Sequence, residues 1–182
     1  MQADHPDTTD PLAGSLSHAE HLAVAWCATP ALPEPPEQTE LNRRAGALLG
    51  LLGSLDEPPP LPEDLPLVTA HLHRLDQKLD LLLNLIGQWL NRELALPAPQ
   101  AVRLGVRGAV WQAELAPGPG RVSLYLRAGL PVALQLPAVL QPLGDGQVLA
   151  EFQGLDAPLT EALERHIFRG HRRAVAQARR PG

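Results

Sequence analysis

The chain has 182 residues, of which 45% are hydrophobic, and this is enough for one modest domain with attached helices. Aromatic residues make up only 3% and the formal net charge is -5, which disfavours both base stacking and general nucleic-acid binding. The single cysteine, Cys27, excludes an internal disulfide framework and a multi-cysteine zinc site, and it fits a reducing cytoplasm.

The N-terminal end is acidic and the C-terminal end is basic. Residues 1–14 are polar and predict a disordered tail without a secretory signal, and no apolar run reaches the length of about 20 residues that spans a bilayer, so we expect a cytoplasmic protein. Six arginines lie in residues 158–182. The two ends either attract each other, present two partner surfaces, or are simply solvated.

Residues 15–60 predict a helical region with proline-rich linkers. Ser17 and Glu20 have the spacing of a capping box, which indicates a short helix or a helical turn entering a strand. Residues 29–38 resemble a polyproline linker. A helix then follows over 39–54 with Thr39 as its N-cap. Its apolar face comprises Leu41, Ala45, Leu48, Leu49 and Leu52.

Residues 61–96 predict a long oligomerisation helix that is capped by Asp64 and ends near Leu94. Large apolar residues recur at alternating spacings of three and four from Leu65 to Trp89, which is a heptad pattern. Leu83, Leu85 and Leu90 flank this seam and indicate more than two helices packed together. The predicted interface consists of Val68, Leu72, Leu75, Leu79, Leu82, Leu83, Ile86 and Trp89. The alternative is one helix of an intramolecular bundle beside residues 39–54.

After Pro97 the apolar period changes to two, which is typical of strands. Short alternating runs at 102–107, 122–127, 132–136 and 148–153 are separated by the turn sequences APGPG, AGLP and GDG. They predict an antiparallel sheet that curls into a barrel within residues 97–182. Asp156 and Pro158 open a last helix. Its inward stripe is Leu159, Leu163 and Ile167, and its basic face is Arg165, Arg169, Arg172 and Arg173.

The order of these features resembles the PilZ family, a bacterial module associated with cyclic di-GMP. The segments HLAVAW, LNRRAGALLGLLGSLD, the leucine-rich helix and LERHIFRGHRRAVAQAR together are similar to its atypical subgroup. The resemblance implies an α+β fold: a six-stranded antiparallel barrel with a C-terminal helix, joined to a long coiled-coil helix that assembles a homotetramer. It also implies a role in cyclic di-GMP signalling.

PilZ domains that bind cyclic di-GMP use RxxxR and [D/N]xSxxG stretches. Arg103 and Arg107 satisfy RxxxR, but the resemblance aligns them with the second motif, where only Gly108 matches. No [D/N]xSxxG occurs in the chain. We therefore expect no cyclic di-GMP binding in the usual pose, and the two arginines are interpreted as solvated or paired between subunits. The first hypothesis is an oligomeric scaffold that acts through an unknown protein partner.

The second hypothesis is a cyclic di-GMP receptor that uses Arg103, Arg107 or Arg121 in an unusual pose, with Gly108 at the site. A third is that the basic face of the last helix docks on an acidic partner. The histidines lack the spacing of a metal site, and no catalytic motif is present. We expect a protein that is not an enzyme, with no metal and no cofactor apart from the candidate cyclic di-GMP.

Overall fold

The computed structural model describes residues 11–12, 14–56, 66–94, 96–127 and 130–178. Six strands and three helices lie in these ranges. In chain order they are β1 (Ser17–Ala28), α1 (Pro35–Asp56), α2 (Pro66–Leu94), β2 (Gln100–Gly105), β3 (Gly108–Gln112), β4 (Gly118–Tyr125), β5 (Leu134–Gly144), β6 (Gln147–Phe152) and α3 (Ala157–Ala178).

The strands form a closed barrel in the order β1-β2-β3-β6-β5-β4, with every pair antiparallel. The predicted six-stranded antiparallel barrel is therefore confirmed. β1 closes it: Ser17 pairs with Gly105 of β2, and Ala28 pairs with Gly120 of β4. β1 thus pairs with β2 through its first half and with β4 through its second half.

Neither the short helix nor the helical turn predicted at Ser17 is present, because residues 17–28 form β1; the strand that the second alternative placed after the turn is confirmed. Ser17 and Glu20 have capping-box spacing, but the segment that follows pairs along its whole length with β2 and β4. Tertiary pairing overrides the local signal here. The barrel consequently extends beyond the predicted boundary at residue 97 and includes a strand from the predicted helical region.

The core fills the barrel and continues under α3. Val102, Leu104, Val122 and Leu124 point inward, each at most 1% exposed. α3 covers one side of this core with a predicted stripe that is confirmed as fully buried, namely Leu159, Leu163 and Ile167. Asp156 caps the helix as predicted, because its Oδ1 accepts a hydrogen bond of 2.9 Å from the amide of Leu159.

α1 begins earlier than predicted, at Pro35, inside the segment assigned to a linker. A proline fits the first turn of a helix, where its missing amide hydrogen is not needed. Thr39 is therefore not an N-cap: its hydroxyl donates to the carbonyl of Pro35 one turn back. The predicted apolar face is confirmed as buried at Leu41, Ala45, Leu49 and Leu52, whereas Leu48 is half-buried.

Polar contacts hold α1 against the connection between β6 and α3. Nδ2 of Asn42, a residue only 5% exposed, donates to the carbonyl of Gly154 over 2.9 Å. Nε2 of Gln38 donates to the same carbonyl over 3.0 Å. α1 therefore packs against α3 and β5 with its buried amide groups satisfied.

Several strand boundaries differ from the sequence pattern. β3 lies in a segment without alternation, because Ala109, Val110 and Trp111 are all buried. β4 begins at Gly118, inside the predicted APGPG turn, and β5 continues to Gly144. The predicted GDG turn is confirmed between β5 and β6, with Asp145 at a φ of 50°. The AGLP turn lies partly outside the described residues.

α2 is a helix of 29 residues, about 44 Å long at 1.5 Å per residue. The predicted apolar stripe is exposed rather than packed in an intramolecular bundle. Its exposed members are Val68, Leu72, Leu75, Leu79, Leu82, Ile86 and Trp89, which are between 39% and 64% exposed. Leu65, Asp64 and the side chains of Leu83 and Leu90 lie outside what the structure describes. Among the described residues, no helix is long and apolar enough to cross a bilayer.

Candidate functional site

The arginines predicted to bind a ligand do not converge. Arg103 pairs with Ala19 near the start of β1, and Arg121 pairs with Cys27 near its end. Ala19 and Cys27 are eight residues apart on one strand, which places the two arginines about 26 Å apart at 3.3 Å per residue. The two arginines therefore lie toward opposite ends of β1 rather than side by side.

The side chain of Arg121 already forms an ion pair with α1. Its Nη2 lies 2.7 Å from Oε1 of Glu37 on α1, and both side chains are partly exposed, at 32% and 56%. An ion pair in such a position contributes only modestly to stability. Arg121 therefore connects the first half of β4 to the first turn of α1.

Arg103 lies on the outer face of β2, as the alternation predicts, and directly across from Val110 of β3. Val110 belongs to a small apolar cluster outside the barrel, formed with Leu12 and Leu149, and Leu143 packs against it. We call this the Leu12 cluster. Leu12 was predicted to lie in a disordered tail, but it is only 2% exposed.

The Leu12 cluster covers the position at which the family motif places a serine. Gly105 occupies that position, and a Cβ there would lie 3.3 Å from Cδ1 of Leu12. A serine hydroxyl at Gly105 would thus meet an aliphatic side chain rather than a nucleotide. The geometry agrees with the absence of [D/N]xSxxG from the sequence.

Gly108 begins β3 and serves the sheet rather than a ligand. A Cβ on Gly108 would lie 2.6 Å from the carbonyl oxygen of Ala150 and 3.0 Å from Cδ1 of Leu149. The glycine is therefore required for the close approach of β3 to β6. This close packing gives a structural role to Gly108, the one residue of the motif that is present in the chain.

Arg107 is the predicted ligand residue that faces open space. It lies exposed in the turn between β2 and β3, and its carbonyl accepts a hydrogen bond from the amide of Phe152 over 2.9 Å. The side chain borders a groove of about 580 Å³, which we call the α3 groove. The groove is lined by Gly14, Ser15, Leu16, Val106, Arg107, Glu164, Arg165 and Phe168.

The α3 groove combines an apolar floor with cationic edges. Phe168 is 50% exposed and Leu16 is 39% exposed, while Val106 is half-buried. Arg165 lies on the α3 side, with Nη1 3.9 Å from Glu161 and 67% of its side chain exposed. The guanidinium of Arg172 lies 5.9 Å from the ring centroid of Phe168. Phe168 was not predicted as a site residue. Its only signal in the sequence is that an aromatic residue stands outside the inward stripe of α3.

The predicted basic face of α3 is divided between two environments. Arg165 and Arg172 are exposed beside the groove. Arg169 instead points toward α1, where its guanidinium packs against Gly53. The four arginines therefore do not form one continuous basic surface, and the prediction of such a face is wrong at Arg169, because the contact between α1 and α3 takes this side chain.

Charged side chains also lie where α3 contacts β1. Nε2 of His18 is 3.6 Å from Oε1 of Glu20, and both are close to Gly170 of α3. Burial lowers the pKa of His18 below its ordinary value of 6.5, and the charges of His171 and Arg173 lower it further. The surroundings of His18 thus disfavour its charged form, although Glu20 lies nearby.

Within the described ranges, no group of three or more His, Cys, Asp or Glu side chains is placed to hold a metal ion. The chemistry of the site is limited to what arginines and an exposed aromatic ring can bind, which is anionic groups and apolar or aromatic surfaces.

Comparison with known proteins agrees with this geometry. A family model described as the atypical PilZ domain, cyclic di-GMP receptor, matches residues 62–180. A solved structure of a pathogenic protein from Xanthomonas campestris is 31% identical, with a TM-score of 0.66, and the match covers 90% of this chain and 92% of that one. That protein is described as a new tetrameric PilZ domain that self-assembles through an unusual helical bundle. No curated protein matches.

Proposed function

The chain belongs to the atypical PilZ family, and on that basis we propose that it is an oligomeric signalling scaffold in a cyclic di-GMP pathway. The family comprises receptors and not enzymes, in agreement with the prediction of a non-enzymatic protein. In the proposed role, α2 assembles four copies and each barrel presents the same surface to a protein partner. Repetition of that surface raises the overall affinity for a partner with several binding sites.

The exposed stripe of α2 is the observation that carries the assembly. Seven large apolar side chains at heptad positions are at least 39% exposed. Such a surface is costly in water unless another helix covers it. Leu85 flanks the seam and is 53% exposed, which favours a bundle over a two-stranded coiled coil. The tetrameric, helical-bundle assembly of the similar Xanthomonas protein supports the proposal of four copies.

Light scattering on a chromatography peak tests the assembly. We expect the mass of a tetramer for the unmodified chain at micromolar concentration and a monomer for a variant with both Leu79→Asp and Leu82→Asp. A matched control carries Ala70→Asp and Gln77→Asp, which add the same charges at outer heptad positions and should leave the mass unchanged. A monomeric unmodified chain, or a double variant that stays tetrameric, would contradict the proposal.

The proposal also holds that cyclic di-GMP is not bound in the usual pose. Half of the recognition set is absent from the sequence, and the Leu12 cluster covers Gly105. The second candidate function is a receptor with a non-standard arginine site, and the placement of Arg107 and Arg165 beside Phe168 favours it. Calorimetric titration with cyclic di-GMP decides: no heat of binding at tens of micromolar supports the scaffold, whereas saturable binding lost in an Arg107→Gln variant supports the receptor.

A further inference from the structure

The α3 groove has the composition of a protein-docking site. Its floor contains an aromatic ring and two aliphatic side chains that come from three separate segments of the chain: the lead into β1, the turn between β2 and β3, and α3. Binding energy in protein interfaces is concentrated in such central aromatic residues with arginines around them. Phe168 is the aromatic residue that lines the groove, and it is 50% exposed.

The arginines around the groove favour an occupant with negative charge. Arg107 comes from the turn between β2 and β3 and Arg165 comes from α3, so two separate segments each bring an arginine to the groove. Arg172 of α3 lies beside Phe168, with its guanidinium 5.9 Å from the ring centroid. Glu164 is the one acidic residue among those that line the groove. The Glu161 partner of Arg165 is 3.9 Å away and itself 69% exposed, so this pair is loose and can exchange for another carboxylate.

From this arrangement we propose that the α3 groove binds an acidic segment of a partner protein, one that inserts an aliphatic or aromatic side chain against Phe168 and pairs flanking carboxylates with Arg107 and Arg165. The inference rests on the proposed scaffold function, which requires a protein partner, and it assigns that partner a place and a chemistry. Guanidinium forks favour bidentate carboxylate pairs, and Arg172 can add a third contact without leaving the ring of Phe168.

The test uses the full-length protein and a phage-displayed library of random twelve-residue peptides. We expect the enriched peptides to share an apolar residue with acidic residues within a few positions. The tightest peptide, labelled and measured by fluorescence polarisation, should bind at least about tenfold more weakly to Phe168→Ala. It should also weaken for the double variant Arg107→Gln with Arg165→Gln, and lose affinity as salt is raised.

The matched control is the double variant Arg43→Gln with Arg44→Gln, which removes two exposed arginines from α1 and should leave peptide binding unchanged. Because Phe168 is half exposed, its replacement should preserve the thermal unfolding curve, which is checked by circular dichroism. Peptides without acidic residues, no enriched set, or affinity that is indifferent to Phe168→Ala would each overturn the proposal. Cyclic di-GMP binding that depends on Arg107 and Arg165, in the absence of enriched peptides, would assign the groove to the nucleotide.

The two proposals fail separately. A groove that binds no acidic peptide in a protein that still has the mass of a tetramer removes the docking site and leaves the assembly intact. A monomeric protein that still binds the peptide through Phe168 removes the assembly and leaves the docking site.

Discussion

The guanidinium of Arg169 on α3 packs against the backbone of Gly53 on α1. Its Nη1 and Nη2 atoms lie 2.7 and 2.8 Å from the position that a Cβ on Gly53 would take. Nε of Arg169 is buried, with no hydrogen-bond partner among the described residues. Gly53 is in the last turn of α1, where the unpaired carbonyls carry partial negative charge. The missing side chain thus lets a cation from one helix reach the C-terminal end of another.

Replacing Gly53 with alanine should fail to stabilise the protein, although alanine is the better helix former. Gly50→Ala is the matched control, because nothing lies within 4 Å of its Cβ position, and it should stabilise by about 0.5–1 kcal/mol. Gly53→Ala should lose this gain by displacing Arg169, and should recover it when Arg169 is also replaced by alanine. Urea denaturation of the unmodified chain and these three variants measures this, and equal stabilisation by Gly50→Ala and Gly53→Ala would contradict it.

Gly108→Ala should destabilise the barrel by about 1–3 kcal/mol, because the new methyl group meets the backbone carbonyl of Ala150 and forces β3 away from β6. Gly105→Ala is the comparison, since its methyl group meets the flexible end of Leu12 at 3.3 Å and lies at an ordinary contact distance of 3.6 Å from the carbonyl oxygen of Leu16. Thermal unfolding should therefore show a clearly larger loss for Gly108→Ala. If both substitutions had the same small effect, Gly108 would not be needed for strand packing.

Stability should fall as the pH decreases through and below 6.5, because the folded state holds the pKa of His18 below that value. The unfolded chain binds a proton at His18 first, so the contribution is fully present above pH 6.5 and is lost as the pH falls toward the folded pKa. His18→Gln should flatten this part of the curve, as measured by the free energy of unfolding in urea across pH 5 to 8. An unaltered slope in His18→Gln would contradict the assignment.

The pair between Arg121 and Glu37 should contribute little. Because both side chains are partly exposed, a double-mutant cycle with Arg121→Gln and Glu37→Gln should give a coupling energy of about 0.2–1 kcal/mol. Raising the salt concentration should reduce it. A coupling of several kcal/mol would show that the contact is desolvated and that it fixes α1 on the barrel.

The sequence predicted those elements whose signals are local. Asp156 predicts the start of α3 and caps that helix. The inward stripe from Leu159 to Ile167 follows from helical periodicity alone. The strand pattern around Val122 and Leu124 was equally readable, because one face of β4 is buried and the other is not.

Elements that depend on distant partners were not predictable in this way. β1 forms because β2 and β4 hydrogen-bond to it, and nothing near Ser17 reports those strands. β3 lacks alternation because the Leu12 cluster buries Val110 on the outer face as well. Within the candidate site, Arg107 was predicted from its spacing with Arg103. The groove that it shares with Phe168 was not predictable, because the two residues are far apart in the chain.

The insertion of β1 between β2 and β4 determines the order in which the chain can fold. Its neighbours are roughly ninety residues further along the sequence, so barrel closure is a step of high contact order and is expected to be slow. During synthesis β1 leaves the ribosome long before β2 and β4, and until they follow both of its edges are unpaired. A chain released before Tyr125 is added would therefore lack a complete β4, and its β1 could still pair with another copy.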